Sequence, residues 1–215
     1  MLARSKSYDR TRLLKRAAAA RKKRKHKKAI ALYREVLAVE PENSEIHQKI
    51  APLLVHTRQG SEAMASYQKA AQGMLVRGFD DRAIGLYRAA ADNLPREATL
   101  WRSVAELETR RGRKADAIEA LLDGRQHFRS RKRRPEAIGL LIQARKLDPT
   151  DFRVSYDLAC LLAKSGQRRH ALRLLAELAM RSKGRNLRRV RARLLWLSPS
   201  PTSAWRYLRA LSVGR

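Results

Sequence analysis

Cysteine is nearly absent from this sequence. Cys160 stands alone among 215 residues, which excludes an internal disulfide and any multi-cysteine metal site. Seven prolines and ten glycines are too few for a collagen-like or low-complexity chain. No run approaches the roughly 18 uncharged apolar residues that a membrane-spanning helix needs. The opening MLARSKSYDRTRLLKR lacks the apolar stretch of a secretion signal and is only weakly like a transit peptide; Leu13, Leu14, Ala17 and Ala20 read instead as a helix face. Acid is scarce as well, with 20 Asp+Glu against 49 Lys+Arg and a net charge of +29. Apolar residues still make up 44%, and a folded chain of this length buries roughly 70% of its unfolded surface, so a core is available.

The charge is concentrated at the ends. Residues 1–28 carry +12, residues 29–180 carry +7, and residues 181–215 carry +10 with no acid at all. Arg outnumbers Lys 35 to 14. Codon bias raises Arg without removing acids, so a negatively charged partner is the physical reading.

An internal repeat organises the sequence. Pro41, Pro95 and Pro149 fall 54 residues apart, and each follows an apolar helical run. Laying 44–97 over 98–151 matches Ala63 with Ala117, Ala83 with Ala137, Ile84 with Ile138, Leu86 with Leu140 and Ala90 with Ala144. A third unit from Phe152 continues through Leu158, Ala159, Gly166 and Ala171 and loses register after Gly184. Such self-similarity signals a stacked solenoid rather than one closed core.

The apolar period is helical throughout. It predicts helices over 8–23, 26–39, 44–57, 61–76, 79–93, 98–110, 114–129, 134–147, 152–165, 168–182, 185–197 and 201–212. Gly78, Gly112 and Gly166 stop helices, and Pro135 suits a first turn. Glu40–Asn43 and Asp148–Asp151 are short connections whose prolines disfavour helix continuation. Pro52, inside a helix, is expected to kink it. The fold class is all-α, with short connections that make neighbours antiparallel.

These residues resemble the tetratricopeptide repeat family, which pairs two helices in about 34 residues. Ala29, Ile30, Tyr33 and Pro41 resemble the second helix of such a repeat, preceded by Ala17 and Ala20. Ala83, Ile84, Tyr87, Ala90 and Pro95 resemble another. Trp101, Val104, Ala105, Gly112, Ala117 and Ile118 look like a first helix, its turn and the start of a second, and Leu158, Ala159, Gly166 and Ala171 do the same later; Ala137 and Pro149 close the middle unit. The resemblance implies a right-handed α-solenoid of about twelve antiparallel helices. It also implies a non-enzymatic scaffold that holds partner proteins or peptides along a groove. Where some members clamp a terminal carboxylate, this sequence reads Gln48, Lys49, Pro52, then Gln68, Lys69, Gln72, then Arg102, Ser103, Glu106, without the Asn that such a clamp needs. The prolines depart from the family by lying 54 residues apart, one repeat of 34 plus 20, so that the helices at 61–76 and 114–129 each serve two pairs.

If the helices alternate up and down, successive turns alternate between two edges. Turns 21–28, 57–60, 93–97, 129–134 and 166–169 then total +15, and 40–43, 77–81, 110–114, 148–151 and 183–186 total +1. The basic edge would hold Arg21, Lys22, Lys23, Arg24, Lys25, Lys27 and Lys28, then Arg129, Arg131, Lys132, Arg133 and Arg134, then Arg168 and Arg169, as a polyanion-binding strip. The competing reading is that these turns are merely solvated. Stacking of single-stranded bases would need aromatics among the cations. Only Phe128 beside Arg129, and Trp205 and Tyr207 beside Arg206 and Arg209, are so placed. Phe128 reads in preference as core, and Trp196 and Trp205 as the cover of the last open helix face. The basic amphipathic segment from Ser203 suits an anionic membrane surface but is read first as the solenoid's terminal cap.

Catalysis finds no pattern. His26, His47, His56, His127 and His170 are dispersed, no phosphate loop or nucleophile elbow occurs, and Cys160 lies among apolar neighbours as a buried thiol. Asp80 and Asp81 read as a helix N-terminal device. No cofactor, metal or small-molecule substrate is implied. The expectation is therefore a basic arm over 1–10, a helical solenoid over 11–197, and a capping helix with basic tail over 198–215. The expected partner is a protein or peptide, acidic in character. The alternative is a sequence-independent nucleic acid or ribosome contact through the basic turns. The expected location is cytoplasmic without integral membrane association, or nuclear in a eukaryote if Arg21–Lys28 acts as an import signal.

Overall fold

A computed structural model describes residues 8–212. Among them lie twelve α-helices and one 3₁₀ turn, with no strand. The helices are α1 (Arg10–Lys22), α2 (His26–Val39), α3 (Ser44–His56), α4 (Gly60–Leu75), α5 (Asp80–Asn93), α6 (Ala98–Arg110), α7 (Lys114–Gln126), α8 (Arg134–Leu147), α9 (Phe152–Lys164), α10 (Arg168–Arg181), α11 (Gly184–Leu197) and α12 (Pro201–Ser212). All twelve stand where the periodicity places them. The largest displacement is at the end of α7, where His127–Ser130 leaves the helix and the turn Arg131–Arg133 replaces a tight connection. Most of the expected 1–10 arm and the end of the basic tail lie outside the described residues, while Arg10 is already the first residue of α1.

The chain forms two compact units, Met1–Leu107 and Glu108–Arg215, with the boundary inside α6. In the first, α1 packs on α2, α2 on α3, and α4 lies against both α3 and α5, so α4 does serve two pairs. In the second, contacts run in sequence from α7 through α12. Small residues permit the close approach of neighbouring helices: Ala17, Ala29, Ala63, Ala83, Ala105, Ala117, Ala137, Ala159 and Ala171 are fully buried. Large side chains such as Tyr33, Tyr87, Leu121 and Leu175 fill the space beside them.

Two kinds of connection punctuate the helices. In one, a single residue turns through the left-handed region: Arg24 (φ 54), Arg58 (φ 62), Gly78 (φ 75), Gly112 (φ 75) and Gly166 (φ 82). In the other, proline ends one helix and an N-cap starts the next. Asn43 Oδ1 accepts from the Ile46 N–H at 3.2 Å, and Asp151 Oδ1 accepts from the Val154 N–H at 3.1 Å. Asp80 and Asp81 occupy the first turn of α5, where negative charge faces the helix dipole favourably. α3 continues through Pro52 from Ser44 to His56.

Candidate protein-binding site

The expected basic strip is divided between the two units. In the N-terminal unit, the alternation of turns is visible in a ring contact: His26 beside the Arg21–Lys28 cluster stacks on His56, with centroids 5.2 Å apart and planes at 23°. Two histidines that read as dispersed are thus neighbours. Among the described residues, none of the seven cations of Arg21–Lys28 forms an ion pair.

In the C-terminal unit several of the expected polyanion residues are engaged within the fold. Arg129 Nε donates to the Gln126 carbonyl at 3.1 Å. Arg134 donates to the Lys164 carbonyl, and Arg168 to the Leu197 carbonyl. Those three carbonyls belong to the last residues of α7, α9 and α11, so these arginines satisfy helix C-termini. Arg133 lies 3.9 Å from Glu136. Phe128 is 2% exposed and packs in the core. Trp196 and Trp205, read as cover for an open face, are instead 69% and 58% exposed. Cys160 is half-buried rather than buried.

The fold assembles a constellation that the linear sequence does not display. Phe152 and Tyr156, one turn apart on α9, stack with centroids 5.5 Å apart. Arg189 of α11 lies over both rings, 5.8 Å from Phe152 and 4.8 Å from Tyr156. One turn on, Arg193 lies 4.8 Å over the Trp196 ring. Burial pushes the Tyr156 hydroxyl above its ordinary range, against the pull of Arg189 and Arg193. The result is an Arg–aromatic ladder along α11, Arg189 over the stacked Phe152–Tyr156 pair and, one turn on, Arg193 over Trp196, each guanidinium attracted through the ring quadrupole.

Phe152, Tyr156 and Arg189 form one wall of a groove of about 510 Å³ whose other walls are α7 and the segment after it, including Leu122, Arg125 and Arg129. Arg125 grips Asp157 with two parallel contacts, Nη2–Oδ1 and Nε–Oδ2, both 2.5 Å. Burial raises the Asp157 carboxyl despite that cation. Arg153 reaches Glu119 at 3.5 Å and Asp151 at 3.4 Å. The groove therefore has fixed, internally paired walls and a projecting Arg189. In the N-terminal unit, Gln68, Lys69 and Gln72 also line a groove, but Lys69 is held by Glu42 at 2.6 Å. Among the described residues, no three His, Cys, Asp or Glu side chains converge as metal ligands would, and no helix is long and apolar enough to cross a membrane.

A family profile described as the tetratricopeptide repeat matches residues 14–74 and 77–127, more than half of the chain. The chain belongs to the tetratricopeptide repeat family. Several solved structures are similar to it. A tetratricopeptide repeat protein from Parabacteroides merdae has 15% identity over 95% of this chain and 93% of that one, with a TM-score of 0.32. Pseudomonas aeruginosa pilF has 17% identity over 96% and 93%, with a TM-score of 0.31. YrrB, described as a tetratricopeptide repeat protein with an unusual peptide-binding site, has 11% identity over 94% and 92%, with a TM-score of 0.30. Against curated protein sequences the chain has no significant match. Family membership makes this a helical repeat of the kind that serves as a protein-interaction scaffold.

Proposed function

We propose that this chain is a non-enzymatic scaffold that binds an acidic segment of a partner protein, with the Arg–aromatic ladder of the C-terminal unit as the anchor. The observation that carries the reading is Arg189 held over Phe152 and Tyr156 beside a groove. Arg, Tyr and Trp are the side chains that most often dominate binding energy at protein interfaces. A guanidinium positioned by stacking loses little freedom when it takes a carboxylate. The excess of 49 Lys+Arg over 20 Asp+Glu supplies long-range attraction that speeds encounter with an acidic partner.

A second reading rests on a different observation. The Arg21–Lys28 cations form no ion pair among the described residues, which suits a phosphate backbone bound without sequence readout. Titration of the purified chain into a labelled acidic peptide containing Leu and Trp, its Lys-substituted counterpart, and DNA and RNA oligonucleotides separates the two. The scaffold reading expects submicromolar binding of the acidic peptide and a modest loss when salt rises from about 50 to 200 mM. Nucleic acid binding that falls by about 10³ or more over the same range, without peptide binding, favours the second reading.

A further inference from the structure

Two of the three proline turns share a device that the third lacks. His47 Nε2 lies 2.8 Å from the Pro41 carbonyl oxygen, and Trp101 Nε1 donates to the Pro95 carbonyl at 3.1 Å. Each ring stands six residues after its proline, the two are 54 residues apart, and each is 7% exposed. The next position in this register, six residues after Pro149, is Ser155. Its side chain brings no ring and no ring N–H to the Pro149 carbonyl. Ser155 is 1% exposed, yet its Oγ has no hydrogen-bond partner. Beside Pro149 and Ser155 there is a cavity of about 170 Å³, lined also by Leu174 and Leu178, with Arg145, Glu177 and Lys183 contributing.

We infer that this cavity is a socket for an aromatic ring bearing an N–H donor, supplied by a partner protein as a tryptophan side chain. Protein interiors are close-packed, and a buried unpaired hydroxyl costs free energy, so a vacated and polar-floored space at a repeat position suits a ligand. A cavity of about 150 Å³ between apolar side chains accepts benzene. This one is larger, which leaves room for a bicyclic ring. Its two leucines favour indole over the more polar imidazole. The chain itself carries an indole at the corresponding register position, Trp101, whose Nε1 donates to the Pro95 carbonyl. Arg145 is held by Glu177 at 2.9 Å, but Arg181 and Lys183, also at the cavity, suit acidic residues flanking the incoming tryptophan, and two copies of a chain with net charge +29 repel each other. The inference rests on the protein-partner reading only for the source of the ring, and the socket is testable without a partner.

The test is a ¹H–¹⁵N titration of the full chain with free indole and, separately, with benzofuran, which has nearly the same shape but an oxygen in place of the N–H. Indole is expected to shift the amides of Ser155, Leu174 and Leu178, with benzofuran about five-fold weaker for want of one hydrogen bond. The variant Ser155→Trp, which supplies the ring from within, is expected to raise Tm and abolish the indole shifts. The comparison of the two ligands uses the unaltered chain, so it stands whatever that variant does. No shifts up to about 5 mM indole, shifts that map elsewhere, or equal affinity for both ligands would overturn the socket. A dimer that indole dissociates would overturn the assignment to a different protein, because the ring would then come from a second copy. Failure here leaves binding at the Arg189 ladder untouched, and the reverse also holds.

Discussion

Arg168, the first residue of α10, donates to the carbonyl of Leu197, the last residue of α11. Arg134, 34 positions before Arg168, stands in the same relation to Lys164. A cation that closes a neighbouring helix's C-terminus gains both a charged hydrogen bond and the dipole interaction. Because both sites are near the surface, about 1 kcal/mol each is expected rather than the full charged-bond value. Arg134→Gln and Arg168→Gln should each lower Tm by roughly 2–4 °C. Lys132→Gln, in the same basic turn, should leave it unchanged. Differential scanning calorimetry of the three variants decides this, and an equal response from all three would remove the capping role.

Two glycines inside helices should respond in opposite ways to alanine. A Cβ at Gly73 would lie 2.4 Å from the Ser44 Cβ, so α3 and α4 would have to separate. Gly73→Ala should therefore destabilise by about 1–3 kcal/mol. At Gly85 nothing lies within 4 Å of an added Cβ, and Gly85→Ala should stabilise by about 0.5–1 kcal/mol. Urea unfolding midpoints measure both.

Arg24 and Arg58 hold positive φ where the corresponding turns at 78, 112 and 166 use glycine. A left-handed non-glycine residue costs about 1–2 kcal/mol, part of which glycine returns through its freer unfolded state. Arg58→Gly is expected to raise stability by about 0.5–1 kcal/mol. Arg24→Gly should stabilise similarly while weakening any polyanion contact made by Arg21–Lys28. Thermal melts and salt-dependent binding of the pair separate the two effects.

Much of this architecture is legible in the sequence because helical periodicity, buried alanines and proline turns are local signals. Tyr33, Tyr87 and Ala117 stand in the core where the repeat register puts them. The basic turns are also local, but what each cation does is not. Arg134 and Arg168 read as polyanion ligands, and only the packing of α9 and α11 shows the carbonyls they satisfy. The ladder stayed hidden because Phe152 and Arg189 are distant in sequence and meet only when α9 and α11 come together. A usable signal existed in the matched i, i+4 pairs Phe152–Tyr156 and Arg189–Arg193. His26 and His56 illustrate the same limit, since neither spacing nor composition announces their stacking.

Glu40 ties the start of α1 to the first proline turn. Its carboxylate accepts from Asn43 Nδ2 at 2.6 Å and Tyr8 OH at 2.9 Å, and pairs with Arg10 Nε at 2.9 Å. The Asn43 hydrogen bond, then Tyr8 and Arg10, hold its carboxyl below the ordinary value of 4.5. A lowered native value means that the stabilisation is present above the unfolded value and is lost as pH falls through the native one. The urea midpoints of the parent and Glu40→Gln should therefore differ at neutral pH and converge as the pH falls below the lowered native value. A gap that persists in acid would show that the network does not depend on the ionised carboxylate.

The central claim is that the Arg–aromatic ladder anchors an acidic partner segment. Its most direct test is the affinity of the labelled acidic peptide for the parent chain and for Arg189→Gln/Arg193→Gln, with circular dichroism confirming equal helicity. The account expects at least a ten-fold loss in the double variant, about 1.4 kcal/mol, and little change in a control that neutralises Lys22 and Lys23. Equal affinity of the parent and the ladder variant, with loss in the Lys22 and Lys23 control, would contradict it and move the binding site to the N-terminal basic turn.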